Sequence, residues 1–319
     1  MSERRRIRDR LDISAKAYQR VTLVALVALS AIVLTGAAVR LTGSGLGCPD
    51  WPKCYGKTVP PLEYHAVIEY GNRLITGLVG VAVIAAAVLS VFRRPYHRHL
   101  VIIGALLPLG VMGQAILGAF VVEHHLPPEL VMGHFILSMF LLDAAFALFW
   151  CSTYEPGERP RATDRLGVWA VRGLIPLGQL TILAGTVTTG SGPHAGDHEG
   201  ELVRRFDFQG GETLEWVVQR HSAMAALFGA AAIAVWFLLR REGGERRALR
   251  PLTFVIGLLA LQGAIGGLQW ALELPPGLVW LHIAVATTTW LAMLWTVAAA
   301  GWLEPRSQES RVQAAPSGA

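Results

Sequence analysis

The chain has 319 residues, 53% of them hydrophobic and only 16% charged, against roughly 25% charged in a soluble domain, and its mean hydropathy is +0.44. That balance excludes an ordinary soluble enzyme and makes the bilayer the solvent of most of the chain. The formal net charge of +5 is no sign of a nucleic-acid partner, because the basic residues gather at Arg4–Arg20, Arg93–Arg98, Arg159–Arg172 and Arg240–Arg250, alternate inter-helix segments in the positive-inside pattern.

Residues 1–20 read as a basic cytoplasmic arm. Val21 to Val39 is uncharged over a bilayer's width, as are Leu74 to Phe92 and Leu100 to Val122. The first of these is too long for a signal-peptide core and no convincing small-residue cleavage site follows, so it is read as a retained helix. It runs to about Arg40. The outer loop 41–66 opens on Gly43-Ser44-Gly45-Leu46-Gly47 and carries Pro49, Pro52, Pro60 and Pro61, which exclude regular structure. Cys48 and Cys54, in an oxidising compartment, most simply form a disulfide. Free redox-active thiols or metal ligation are the alternatives, though no nearby third and fourth ligand completes a zinc set. Cys151, at the cytoplasmic end of the fourth helix, should stay reduced.

A second helix is predicted from near Val67, with Glu69, Asn72 and Arg73 in its first two turns. A basic turn at 93–99, a third helix, a short outer loop at 123–129 holding His124 and His125, and a fourth helix follow. Residues 154–167, with Pro156, Gly157 and Pro160, make a cytoplasmic linker. A fifth helix spans about 168–189, and the second long outer loop, 190–213, holds His194 and His198 but no cysteine. Helices six to eight, with an outer turn at 273–277, run to about Gly301, and a Ser-, Gln-, Pro- and Ala-rich tail is expected to be disordered.

Two halves of this chain repeat. Leu126-Pro127-Pro128 with His134 returns as Leu274-Pro275-Pro276 with His282, and Gln114 and Gly118 return as Gln262 and Gly266, all at one offset. Thr42-Gly43-Ser44-Gly45 likewise returns as Thr189-Gly190-Ser191-Gly192. Each proline pair ends one helix and starts the next, which puts each histidine about two turns into a helix. The predicted fold is an all-α polytopic membrane protein, its eight transmembrane helices arranged as two parallel-repeat four-helix bundles. Four helices per half return the second half to the orientation of the first, so the repeat axis should lie along the membrane normal. The expected division is an arm 1–20, an N-terminal half 21–153, a linker 154–167, a C-terminal half 168–302 and a tail 303–319. Both termini should be cytoplasmic, in a cell membrane.

Helix six supplies a further histidine, His221, at the repeat position of Asn72. Two neutral imidazoles from facing helices with an apolar slot between them suit a metalloporphyrin held by trans ligands. The plainer reading of a single intramembrane histidine is a hydrogen-bonded core residue. That reading weakens for two at matching depth with a third repeated. The first half keeps His134 but has Asn72 where the second imidazole would be, and an amide is a poor iron ligand. One half should therefore hold haem by two axial bonds and the other by at most one. Glu69 is a carboxylate on the face of Asn72 and a functional candidate by position, or else a helix-terminal partner of Arg73. Arg73 and Arg220 suit haem propionates. Asp143 falls on the far side of its helix from His134, where only packing against another helix is foreseen.

With these residues in hand, the chain resembles haem A synthase over about 20–302. The resemblance rests on Cys48 and Cys54, Val67-Ile68-Glu69-Tyr70-Gly71-Asn72-Arg73-Leu74, His134, Thr189-Gly190-Ser191-Gly192-Pro193-His194-Ala195-Gly196-Asp197, Gln219-Arg220-His221 and His282. It implies oxidation of a methyl group on haem O to a formyl group, by successive hydroxylations and loss of water, with haem B as cofactor. By the same resemblance His221 and His282 ligate haem B, His134 faces the substrate haem, and Glu69 acts at the catalytic centre. Much of the family has histidine at the position of Asn72. The partners implied are haem O, membrane lipid, the enzyme that forms haem O, and an electron donor or acceptor, with the haem sites toward the outer face. The rival readings are a di-haem membrane cytochrome passing electrons from quinol, disfavoured because all three histidines lie near one face, and a duplicated-fold transporter.

Overall fold

In the computed structural model, residues 12–155, 158–197 and 203–303 are described; the tail beyond Leu303, most of the arm, Pro156, Gly157 and His198 lie outside them. The described chain is built from eight long helices: α1 Ala15–Leu41, α2 Tyr64–Phe92, α3 Arg98–Glu123, α4 Pro128–Ser152, α5 Arg165–Ser191, α6 Thr213–Arg240, α7 Leu249–Ala271 and α8 Pro276–Ala300. All eight are long and apolar enough to cross a bilayer. Their outward faces are apolar too. On α2, Leu74, Leu78, Val81, Ile84, Val88 and Val91 are exposed at helical spacing, a stripe that only lipid can solvate well. The chain is a multi-pass α-helical membrane protein.

Three helix starts fall earlier than the hydropathy suggests, α5 among them, at Arg165 rather than about 168. Ser14 caps α1 by accepting from the Ala17 N–H at 3.2 Å, so the helix begins at Ala15, within the segment read as the arm. Its first turns carry Lys16 and Arg20, which end the uncharged stretch without ending the helix. Helix α2 likewise starts at Tyr64 rather than near Val67, which sets Glu69 in its second turn.

The helices pack as two four-membered rings. In the first, α1 contacts α2 and α4, and α3 contacts the same two; in the second, α5 contacts α6 and α8, and α7 contacts those two. The seam between the rings joins α4 to α5, α8 to α1, and α4 to α8. The turns α3–α4 and α7–α8 share an unusual backbone. His125 and Leu126 in one, and Glu273 and Leu274 in the other, are non-glycine residues at φ 57°, 56°, 60° and 62°. Those left-handed residues are sparsely tolerated. Their N–H groups satisfy the last carbonyls of the preceding helix, as Leu126 N does with Val121 O at 2.8 Å and Leu274 N with Gln269 O at 2.6 Å. The proline pair then starts the next helix.

At the arginine-rich end, polar contacts tie the inter-helix segments together. Ile13–Ser14 (β1) pairs in parallel with Arg93–Arg94 (β2), and Arg161–Ala162 (β3) with Trp302–Leu303 (β4). Buried Arg93 bonds Glu155 at 2.9 Å. Asp164 caps α5, accepting from Gly167 N at 2.9 Å and Glu245 N at 3.1 Å, and pairs with Arg241. Burial alone would raise its carboxyl, but these bonds together hold it below the ordinary carboxylate value.

Candidate functional site: paired imidazoles and their counterpart

His221 on α6 and His282 on α8 face each other with ring centres 6.3 Å apart and planes at 72°. Two metal–imidazole bonds of about 2 Å, with about 1 Å from each nitrogen to its ring centre, separate trans ligands by about 6 Å. The spacing therefore fits a metal held between the rings. His221 Nδ1 donates to Thr181 O at 3.1 Å; a carbonyl only accepts, so Nε2 keeps its lone pair for a ligand. The buried Nδ1 of His282 has no partner among the described residues, nor has that of His134. Glycines make room behind the rings. A Cβ at Gly185 would come within 3.0 Å of His221 Cε1, and one at Gly266 within 3.6 Å of His282 Cε1.

The first half matches this construction except at one position. Gln114 Nε2 donates to His134 O at 2.9 Å, and Gln262 Nε2 to His282 O at 2.9 Å, so each histidine's helix is tied to its neighbour by the same amide. Gly118 backs His134 as Gly266 backs His282, at 3.4 Å from Cε1. Opposite, Asn72 Oδ1 accepts from Thr35 Oγ1 at 2.7 Å. The neighbouring Gly36 stands to Asn72 as Gly185 stands to His221, yet a Cβ there would meet nothing within 4 Å. The shorter side chain leaves the space that an imidazole takes up in the second half.

The loop between α1 and α2 packs against the first turns of α2. Cys48 and Cys54 form a disulfide. The loop is clasped to α2: Glu69 Oε2 accepts from Cys48 N at 2.7 Å and Oε1 pairs with Arg73 at 2.5 Å. Arg73 also donates to Asp50 O at 2.9 Å, Lys53 O at 2.8 Å and Cys48 O at 3.4 Å. A role for Arg73 toward a propionate would thus compete with four existing bonds. Arg220 lies over the Trp216 ring at 3.5 Å and donates to Trp216 O at 2.9 Å. Asp143 accepts from the Trp290 indole at 2.6 Å, across the α4–α8 seam. His124 bonds its own helix at Phe120 O and His194 bonds Leu274 O, so neither joins the site. Thr35, Gly36 and Arg40 were not singled out from sequence. The available signal was the arginine that closes an otherwise uncharged first segment.

The cytochrome oxidase assembly protein family matches residues 19–67 and 62–196, which include Cys48, Cys54, Glu69, Asn72 and His134. The chain is also similar to the haem A synthase of Bacillus licheniformis, 25% identical over 265 residues, covering 79% of this chain and 85% of that protein. It is 35% identical to the haem A synthase of Symbiobacterium thermophilum over 146 residues, 45% of this chain and 47% of that protein. With that of Geobacillus kaustophilus it shares 36% identity over 105 residues, 32% of each chain.

Proposed function

The chain belongs to the cytochrome oxidase assembly protein family, as a haem A synthase-type enzyme of haem A biosynthesis, and we propose that it oxidises a methyl group of haem O to a formyl group. In this reading the second half, residues 168–302, holds a resident haem B between His221 and His282. The first half, 21–153, receives haem O with His134 on one side and Asn72 on the other. The 6.3 Å separation of the two imidazoles carries the assignment of the cofactor site.

A haem B held by His221 and His282 would supply one-electron chemistry within a bilayer that otherwise insulates the site. The chain's residues do the rest. Thr181 fixes the His221 tautomer, and Gln262 fixes the height of His282. Gln114 does the same for His134. Thr35 holds the Asn72 carboxamide by its oxygen, and an amide would be a poor ligand for the iron of a haem held by His134. Glu69, three residues before Asn72 on the same helix, would serve as proton acceptor there. Its oxygens accept from Cys48 N and Arg73, with the Gly47 backbone as a third partner, and a carboxylate has about four lone-pair sites, which leaves capacity for a proton. Arg73 positions it and the disulfide-braced loop above. Arg220, at the outer end of α6, is the second-half residue for a haem propionate. The arginine-rich end is cytoplasmic and the disulfide end lies outside, so both haems sit toward the outer face.

A pyridine haemochrome assay on the purified protein, followed by incubation with haem O, extraction and mass analysis, tests the proposal. Retained haem B and the formyl product are expected. Protein without haem, or haem O recovered unchanged under electron-transfer conditions that support a working relative, would overturn it.

A further inference from the structure

We propose that Arg40 binds a carboxylate of the haem held in the first half. The inference rests on the reading that this half receives haem O, and it concerns a residue that takes no part in the contacts derived above.

Arg40 is one helical turn beyond Gly36, so it stands on the same face of α1, about 6 Å toward the outer end. Gly36 fronts the open space beside Asn72. A haem bound beside His134 with its propionates toward this end of α1 would bring its carboxylates near this height. The guanidinium is held but not used up. Nη2 donates to Thr189 O at 2.7 Å, while the buried Nε has no partner among the described residues. The nearest carboxylate, Asp197, pairs with Arg205 at 3.5 Å, so the local balance of the three groups stays positive. Above, Gly45 N donates to Gly196 O at 2.9 Å, and a Cβ at Gly196 would lie 3.6 Å from Arg40 Cγ. The two long outer loops therefore roof the arginine together. A buried guanidinium with unused donors is costly in a membrane protein, and a propionate offers the planar, charged acceptor that it suits.

Thr189 is as far from Arg40 in sequence as His221 is from Asn72. The bond between Arg40 and Thr189 thus ends one turn above Gly185, which backs the second-half histidine. A carboxylate of the resident haem is the competing source, and the experiment separates the two. Haem B-loaded protein is titrated with ferric haem O and with its dimethyl ester, binding being followed in the Soret band. Wild type should favour the free acid by about tenfold or more, the worth of one charge-assisted hydrogen bond. Arg40→Gln should bind acid and ester alike, and Arg40→Lys should keep part of the preference. Wild type that binds both equally, a Gln variant that keeps the wild-type ratio, or a Gln variant whose defect is loss of resident haem B would each overturn the proposal. The wild-type arm stands even if a variant fails to fold. His134→Ala should weaken acid and ester equally; if it weakens neither, the underlying assignment of the pocket fails instead.

Discussion

Replacing Glu69 by glutamine separates chemistry from packing in the first half. Glu69 is 5% exposed and the Arg73 side chain 16%, so the pair is largely removed from solvent. Glutamine can still accept from Cys48 N, but it turns an amide toward Arg73 or leaves that guanidinium uncompensated. Breaking a fully buried pair from one side costs about 3 to 5 kcal/mol. Here Arg73 keeps three loop carbonyls, and some solvent reaches it, which brings the expected loss to about 1 to 3 kcal/mol. If Glu69 also takes up a proton during methyl oxidation, the rate falls by a further factor of about 10² or more. Arg73→Gln provides the comparison, since it breaks the same pair and leaves the carboxylate in place. Single-turnover conversion of haem O, measured on folded and haem B-loaded protein, should then be at least tenfold slower for Glu69→Gln than for Arg73→Gln, with haem B content unchanged in both. Equal rates, each scaled to the folded fraction from thermal unfolding in detergent, would refute the proton-acceptor role and leave Glu69 as a clasp.

Other substitutions probe the remaining parts of the site. His221→Ala or His282→Ala should abolish stable haem B retention, whereas His134→Ala should keep haem B and stop turnover; equal haem loss in all three would contradict the division between halves. Gly185→Ala, whose Cβ would lie 3.0 Å from His221 Cε1, should displace the ring and lower haem B occupancy in a haemochrome assay, while Gly36→Ala, facing open space, should leave that occupancy unchanged. Asp164→Ala should cost about 1 to 3 kcal/mol through the lost cap and ion pair. Because the folded-state pKa of Asp164 is lowered, its contribution is present above the unfolded carboxylate value and lost as pH falls through the folded one. The difference in unfolding temperature between Asp164→Ala and wild type should accordingly shrink in acid, and a constant difference would count against the ion pair.

The parts legible in sequence are those encoded locally or by repetition. Long apolar stretches, the fourth of them interrupted by Asp143, gave eight helices, and two cysteines in one loop gave the disulfide. The duplicated proline pairs located His134 and His282, and the repeat then set Asn72 at the position that His221 holds in the second half. Contacts between distant segments left no comparable mark. Asp143 showed only its angle on its own helix, and its partner Trp290 lies 147 residues away on α8. Arg73 carried a charge suited to propionates, but its four bonds depend on the path of a loop whose prolines and glycines give no periodic signal. Arg40 was passed over for a related reason. A terminal arginine on a transmembrane helix ordinarily snorkels to the interface, and only the joined roof of Gly45 and Gly196 encloses this one.

The Asp143–Trp290 bond bears on how two similar halves came to recognise each other. The two residues lie nine positions below His134 and eight below His282, at nearly the same depth, on the helices that meet in the middle of the seam. Between transmembrane helices, lipid tails compete on equal terms with apolar side chains, so association draws on close packing and on polar bonds. Had both helices carried the same polar residue at this depth, a free half would have matched its twin as readily as its partner. Two carboxylates would repel in one such pairing, and two indoles would find no acceptor in the other. An acceptor on one side and a donor on the other makes unlike pairing the better choice, in the way that a buried polar residue sets partner and register in a coiled coil. A chain cut between α4 and α5, before the Asp164 cap, should therefore reassemble as one first half with one second half, the two fragments carrying between them the instruction once enforced by their covalent connection.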